Sequence, residues 1–175
     1  GVVRADSLLV EAGADSALQN AGNAVATLAA RSAGAFAYRN GGDLAIGRVT
    51  RAGGAAVDGI AAGGKVFVDV PAANLSLTQP VSGTGDGAGS NAVVLNAGKR
   101  FYNQATPGSA AVVANNGRWL IYDDNPGLAD KDMNGLARDF TVLASGYAVY
   151  GPDKVTQSGN GYITTARYLP PEQFD

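Results

Sequence analysis

Residues 63–78 read GGKVFVDVPAANLSLT. One phrase occurs twice in this stretch, first as GGKVFVD (63–69) and again as AANLSLT (72–78): a turn of small or polar residues, then apolar–x–apolar. It recurs at GGDLAIG (41–47) and SNAVVLN (90–96), with looser copies at ADSLLVE (5–11) and GNAVATL (22–28). Successive side chains of a strand point to opposite faces, so each copy reads as a short strand with one buried face. The first apolar positions are Leu8, Val25, Leu44, Val66, Leu75 and Val93, with steps of 17 to 22 residues and one of 9. Short strands at such a pitch, separated by Gly and Asn turns, predict a solenoid.

The composition of the repeats selects among solenoids. The fixed leucine ladder of a leucine-rich repeat is missing, and no apolar face of 3.6 period is long enough for helical repeats. Val, Leu and Ala strands with Gly and Asn corners suit an all-β fold, the parallel β-helix, because small residues fit its narrow interior and Gly and Asn accept left-handed corners. The competing expectation is an antiparallel sandwich, which also strings short strands between turns. Asn20, Asn23, Asn40, Asn74, Asn91, Asn96 and Asn103 are expected to form short stacked ladders within the turns.

The totals narrow the chemistry. A chain of 175 residues with 46% hydrophobic content has the size and apolar share of one folded domain. With neither histidine nor cysteine it has no Ser-His-Asp triad, thiol nucleophile, imidazole or thiolate metal ligand, and no disulfide. A net charge of −2 with scattered basic residues gives no electrostatic case for nucleic acid. There is no basic-plus-apolar leader, and the single methionine is Met133, so the chain reads as an internal piece of a longer protein.

Most aromatic side chains follow Phe101, among them Tyr102, Trp119, Tyr122, Phe140 and Tyr147. The shift in texture divides the chain into β-helix coils over 1–105 and a terminal coil with a capping or transition module over 106–175. RWLIY (118–122) predicts a strand with Trp119 and Ile121 on one face and Leu120 and Tyr122 on the other. Leu136, Phe140 and Leu143 are spaced like one face of a short helix, YAVYGP (147–152) alternates like a strand, and GNGYITTARYLPP (159–171) reads as a final strand. The aromatics are expected to plug the open end of the solenoid.

The stretch FYNQATPGSAAVVANNGRWLIYDDNPG (101–127), with GNGYITTARY (159–168) after it, resembles large bacterial exoproteins of the filamentous-haemagglutinin type. LQNAGN (18–23) and GGDLAIG are similar to the shaft repeats of the same two-partner-secreted adhesins. The resemblance implies a right-handed parallel β-helix in a secreted protein of the bacterial cell surface, with no catalytic residues. It implies that surface glycans or proteins are engaged by the full-length protein. The Asn-Pro-Asn-Gly motifs of the family's secretion domain are absent, so contact with the outer-membrane transporter is assigned to a region outside this chain.

Three chemical readings compete with a purely structural one. DKDMNG (130–135) sets Asp130, Asp132 and Asn134 at the first ligand positions of a calcium loop and Gly135 at its bend. Position 12 is Thr141, which supplies no bidentate carboxylate, and position 9 is Arg138, so the stretch reads first as a polar turn, with calcium as the alternative. Asp123, Asp124, Asp130 and Asp132 are the one local concentration of acids, which a carbohydrate-active β-helix enzyme would use as a carboxylate pair. Trp119 and Tyr122 are the candidate rings for a glycan-stacking platform, and Lys99, Arg100 and Arg118 could meet an acidic glycan. The preferred expectation is a non-catalytic shaft that needs no cofactor. SGTGDGAGS (82–90) lacks the Lys-Ser/Thr of a phosphate loop and reads as a surface loop.

Overall fold

A computed structural model describes residues 1–124 and 132–165. The fold is all-β with parallel sheets, one of them curled strongly into a half-barrel. The eight-stranded sheet contains β1 (Arg4–Ala12), β3 (Ala24–Ser32), β5 (Leu44–Ile46), β8 (Ile60–Ala62), β10 (Leu75–Leu77), β11 (Val81–Thr84), β13 (Phe101–Asn103) and β14 (Val112–Asn115). The seven-stranded sheet contains β2 (Ser16–Leu18), β4 (Phe36–Arg39), β9 (Val66–Val70), β12 (Asn91–Ala97), β15 (Arg118–Asp123), β16 (Phe140–Leu143) and β17 (Gly161–Thr164). Every pairing in both sheets is parallel, which overturns the antiparallel sandwich.

The repeated phrase belongs to two ladders. In one, Leu44 pairs with Leu75 and Leu75 with Phe101; in the other, Phe36 pairs with Val66, Val66 with Val93 and Val93 with Trp119. Partners along these rows lie 26 to 31 residues apart, longer than the 17 to 22 read from the sequence. The step of 9 from Val66 to Leu75 is a passage from one sheet to the other. A parallel neighbour needs the chain to travel round and return, so the true pitch spans strands of both sheets.

The long strand β3 carries two short neighbours, β5 along Thr27 and Leu28 and β8 along Ala30 to Ser32. Between those two the chain leaves the sheet as an antiparallel hairpin, β6 (Arg48–Thr50) and β7 (Ala56–Asp58). Gly59 N–H donates to the Gly47 carbonyl at 2.9 Å and closes its neck. Gly59 has φ +65°, and a Cβ there would lie 1.9 Å from the Pro80 carbonyl oxygen, so this position requires glycine.

The main core fills the space between the sheets with rows set by the register. Tyr38, Val68, Leu95, Ile121 and Tyr162 form one row, and Phe36, Val66, Val93 and Trp119 another. The opposite wall supplies Leu44, Leu75 and Phe101, with Ile60, Val81 and Val112. Trp119 and Ile121 face this core while Leu120 and Tyr122 face a second cluster, as the alternation in RWLIY predicts.

The end of the described chain departs from the expected elements. The helix expected through Leu136, Phe140 and Leu143 is instead strand β16 over its second half, because Phe140–Leu143 finds backbone partners in β17. β17 lies between β15 and β16, so the chain passes outward first and then returns to fill the inner position. The strand expected over 147–152 is absent: residues 144–157 form a strap of turns across the outer face of the seven-stranded sheet. Tyr122, Phe140, Tyr147 and Tyr150 meet on that lateral face, whereas Phe101, Trp119 and Tyr162 lie in the main core. Residue 105 marks no break in either sheet: the eight-stranded sheet has β13 before it and β14 after it, and in the seven-stranded sheet β12 pairs with β15 across it.

Asparagines work at the corners, bonding backbone of neighbouring rows. Asn23 Oδ1 accepts from Val3 N–H at 2.8 Å, Asn40 Oδ1 from Val25 N–H at 2.9 Å, and Asn74 Oδ1 from Arg100 N–H at 3.1 Å. These are staples from side chain to backbone, in place of the expected ladders of stacked amides.

Candidate functional site

The acids that stand close in sequence have separate structural duties. Asp123 is 3% exposed; its Oδ1 accepts from the hydroxyls of Tyr162 and Thr164, and its Oδ2 from Phe101 N–H at 3.3 Å. Asp132 is buried and pairs with Arg100, whose Nη2 lies 3.1 Å from its Oδ2. Asn134 adopts a left-handed φ of +48° and donates from Nδ2 to the Ala105 carbonyl at 3.3 Å. Asp130 lies outside the described residues. Two members of the candidate calcium loop are therefore tied to different neighbours. Among the described residues no group of three or more acidic, His or Cys side chains is placed to hold a metal.

The stacking platform is corrected by burial. Trp119 is 2% exposed and Tyr122 1%, so neither presents a ring face to solvent. Their strand is covered on both sides, by the main core and by the strap. Arg118 is also withdrawn from any surface glycan. Its Nε donates to Asn91 Oδ1 at 2.7 Å, and its terminal nitrogens donate to the carbonyls of Val155 (3.1 Å) and Gln157. Burial holds its pKa below the usual guanidinium value. This cation fastens the end of the strap to the sheet.

The register assembles a site that the sequence reading did not single out. Arg39, Asp69, Asn96 and Tyr122 are in-register neighbours on β4, β9, β12 and β15. They alternate with the core row of Tyr38, Val68, Leu95 and Ile121, and so face outward. Arg39 Nε and Nη2 each lie 2.8 Å from Asp69 Oδ2, while Asn96 Nδ2 donates to Asp69 Oδ1 at 2.8 Å. Asp69 is 2% exposed and has protein donors on both oxygens, which offsets the cost of burying a carboxylate. A signal existed in the sequence: Asp69 and Asn96 each end a copy of the repeated phrase, and Arg39 ends the parallel stretch AGAFAYR (33–39).

This row and the strap border a half-open cleft of about 490 Å³. Arg39, Asp69, Asn96 and Tyr122 lie on the sheet side, Ser145 to Ala148 on the strap side, and Asp123, Asp124 and Thr165 border it. The Tyr147 ring stacks on Phe67 at 5.4 Å between centroids and meets Tyr122 edge-on at 5.2 Å. Burial, then proximity to Asp69, raises the Tyr147 pKa. Burial raises Tyr122 as well, with the neighbouring Tyr147 and Tyr150 adding to it. The Tyr122 hydroxyl is buried and has no hydrogen-bond partner among the described residues. The arrangement offers mixed donors and acceptors beside an aromatic wall.

No protein-family model, curated protein or solved structure matches the chain.

Proposed function

We propose that the chain is a length of right-handed parallel β-helix serving as a non-catalytic shaft in a secreted bacterial surface adhesin of the filamentous-haemagglutinin type. The shaft holds neighbouring binding regions away from the cell surface. The observation carrying this reading is the pair of in-register parallel ladders, which advance together as the chain passes from one sheet to the other. Ladder hydrogen bonds and stacked interior rows stiffen such a rod without a disulfide or a metal. Support for a non-catalytic role comes from Asp123 and Asp132, which are occupied by structural partners.

Removing one whole turn tests the reading. Residues 73–98 hold β10, β11 and β12; without them Leu44 can pair with Phe101, Ile60 with Val112 and Val66 with Trp119. A solenoid tolerates this deletion and shortens by one strand spacing, roughly 4.8 Å, in small-angle scattering. Deleting only 73–84 removes strands from one sheet alone and unfolds it. In the surface protein that carries the chain, adhesion survives the whole-turn deletion. Unfolding of the whole-turn variant overturns the β-helix, and a folded variant that loses adhesion overturns the shaft.

A further inference from the structure

We propose that the free edge of β16 is a docking site for the same strand of a second copy of this chain, the two strands pairing antiparallel about a two-fold axis at Val142. The inference is independent of the shaft reading, because it rests on the geometry of one strand edge.

β16 ends the seven-stranded sheet and pairs only with β17 among the described residues. Phe140 N–H donates to the Asn160 carbonyl at 3.3 Å, and Ala144 N–H to the Thr164 carbonyl at 2.9 Å. In a parallel ladder alternate residues turn both backbone groups to the same neighbour, so Phe140, Val142 and Ala144 face β17. Thr141 and Leu143 turn their N–H and C=O groups outward, where no strand meets them among the described residues. The strap leaves this edge clear, because it runs back across the sheet to stack Tyr147 on Phe67 of β9.

Edge strands are commonly blunted by charge, proline or a bulge. FTVL (140–143) has neither charge nor proline, and its register with β17 is unbroken. Leu143 is 65% exposed, although its in-register neighbour Thr164 is buried.

The outward groups are their own complement. Thr141 and Leu143 are symmetric about Val142, so an antiparallel copy sets each Thr141 opposite the other chain's Leu143. Each such pair exchanges two N–H···O=C bonds, and all four outward groups of each copy are satisfied. On that face the two Leu143 side chains become diagonal neighbours and shield one another. On the other face Val142, already packed on the outer cluster, meets its counterpart at the axis. Four residues a side is far below the roughly 20–30 of a stable interface, so the dimer is weak and forms at high protein concentration.

The test is sedimentation equilibrium of the full chain over a rising concentration series, with a cross-linking arm. The chain dimerises reversibly. Leu143→Lys, at a surface position, weakens association tenfold or more and leaves the denaturant midpoint unchanged. The chain has no cysteine, so Val142→Cys supplies a single thiol. Antiparallel partners between hydrogen-bonded pairs have Cα atoms about 4.5 Å apart, within disulfide reach. With diamide as oxidant, Val142→Cys therefore gives covalent dimer at least tenfold faster than Val149→Cys. Val149 is 59% exposed, so chance collision would favour it over the half-buried Val142. A chain that stays monomeric throughout overturns the proposal. So does association that survives Leu143→Lys, which places the contact elsewhere, or cross-linking as fast from Val149→Cys.

Discussion

Each main sheet has an apolar patch on its outer face, and the chain covers the two patches by different means. On the eight-stranded sheet the hairpin β6–β7 lays Val49 and Val57 over Ala29 and Leu9. On the seven-stranded sheet the strap lays Ala144, Tyr147, Tyr150 and Val155 over Phe67, Val94, Leu120, Tyr122 and Ile163. In the hairpin Arg48 pairs with Asp58 across its two strands and Arg51 reaches Glu11 on β1, all well exposed, while Arg31 of β3 donates to the Asp58 and Gly59 carbonyls at its base. Its arginines are raised and its acids lowered in pKa chiefly by their mutual hydrogen bonds. The strap is fastened by the buried Arg118, which meets carbonyls and an amide and has no salt-bridge partner among the described residues. Exposed ion pairs are screened and contribute little, whereas a buried donor set leaves several acceptors unsatisfied when removed.

The sharpest break in that comparison is Arg118→Ala. It strands the Val155 and Gln157 carbonyls and Asn91 Oδ1, so stability falls by about 3 kcal/mol, read from the denaturant midpoint. Amide exchange over 144–163 rises with it, while exchange in β6 and β7 stays unchanged. A uniform rise would mean that Arg118 supports the whole fold and not the strap.

A smaller effect has the opposite sign. Tyr122→Phe removes a buried hydroxyl without a partner, and stability at neutral pH rises by about 1 kcal/mol. The same variant changes the alkaline limb. Burial raises Tyr38 to about 12 and lifts Tyr122; it also lifts Tyr162, where the hydrogen bond to Asp123 adds to it. Unfolded tyrosines ionise near pH ~10, so above that pH the unfolded chain binds fewer protons than the folded one. Stability is therefore complete below about pH 10 and falls as pH rises beyond it. Tyr122→Phe makes this fall shallower, and an unchanged slope would show that Tyr122 ionises as freely folded as unfolded.

The least change is expected at the hairpin. Arg48→Gln and Arg51→Gln together leave the thermal midpoint unchanged at physiological salt and lower it only at low ionic strength. A large loss at both salt levels would make the exposed pairs as important as the buried clamp.

Legibility followed the range of the interactions. Alternation in RWLIY placed Trp119 and Ile121 opposite Leu120 and Tyr122, because strand geometry is local. The copies of the phrase marked strands correctly at 44–46, 66–70, 75–77 and 91–97. Their spacing does not give the pitch, because the copies belong to two different sheets. Leu136, Phe140 and Leu143 matched a helical period over too few residues, and pairing with β17 decided the outcome. The cleft escaped because Arg39, Asp69 and Asn96 lie 27 to 30 residues apart, and only register makes them neighbours.

The sequence by itself determined an all-β chain of short strands, their inward positions and the absence of histidine and cysteine chemistry. Those properties follow from residue type and a period of two along the backbone. Tertiary structure decided which strands pair, where the strap crosses, and that Trp119 serves the core. Parallel pairing joins residues after a long excursion of the chain, and no local period records where that excursion returns.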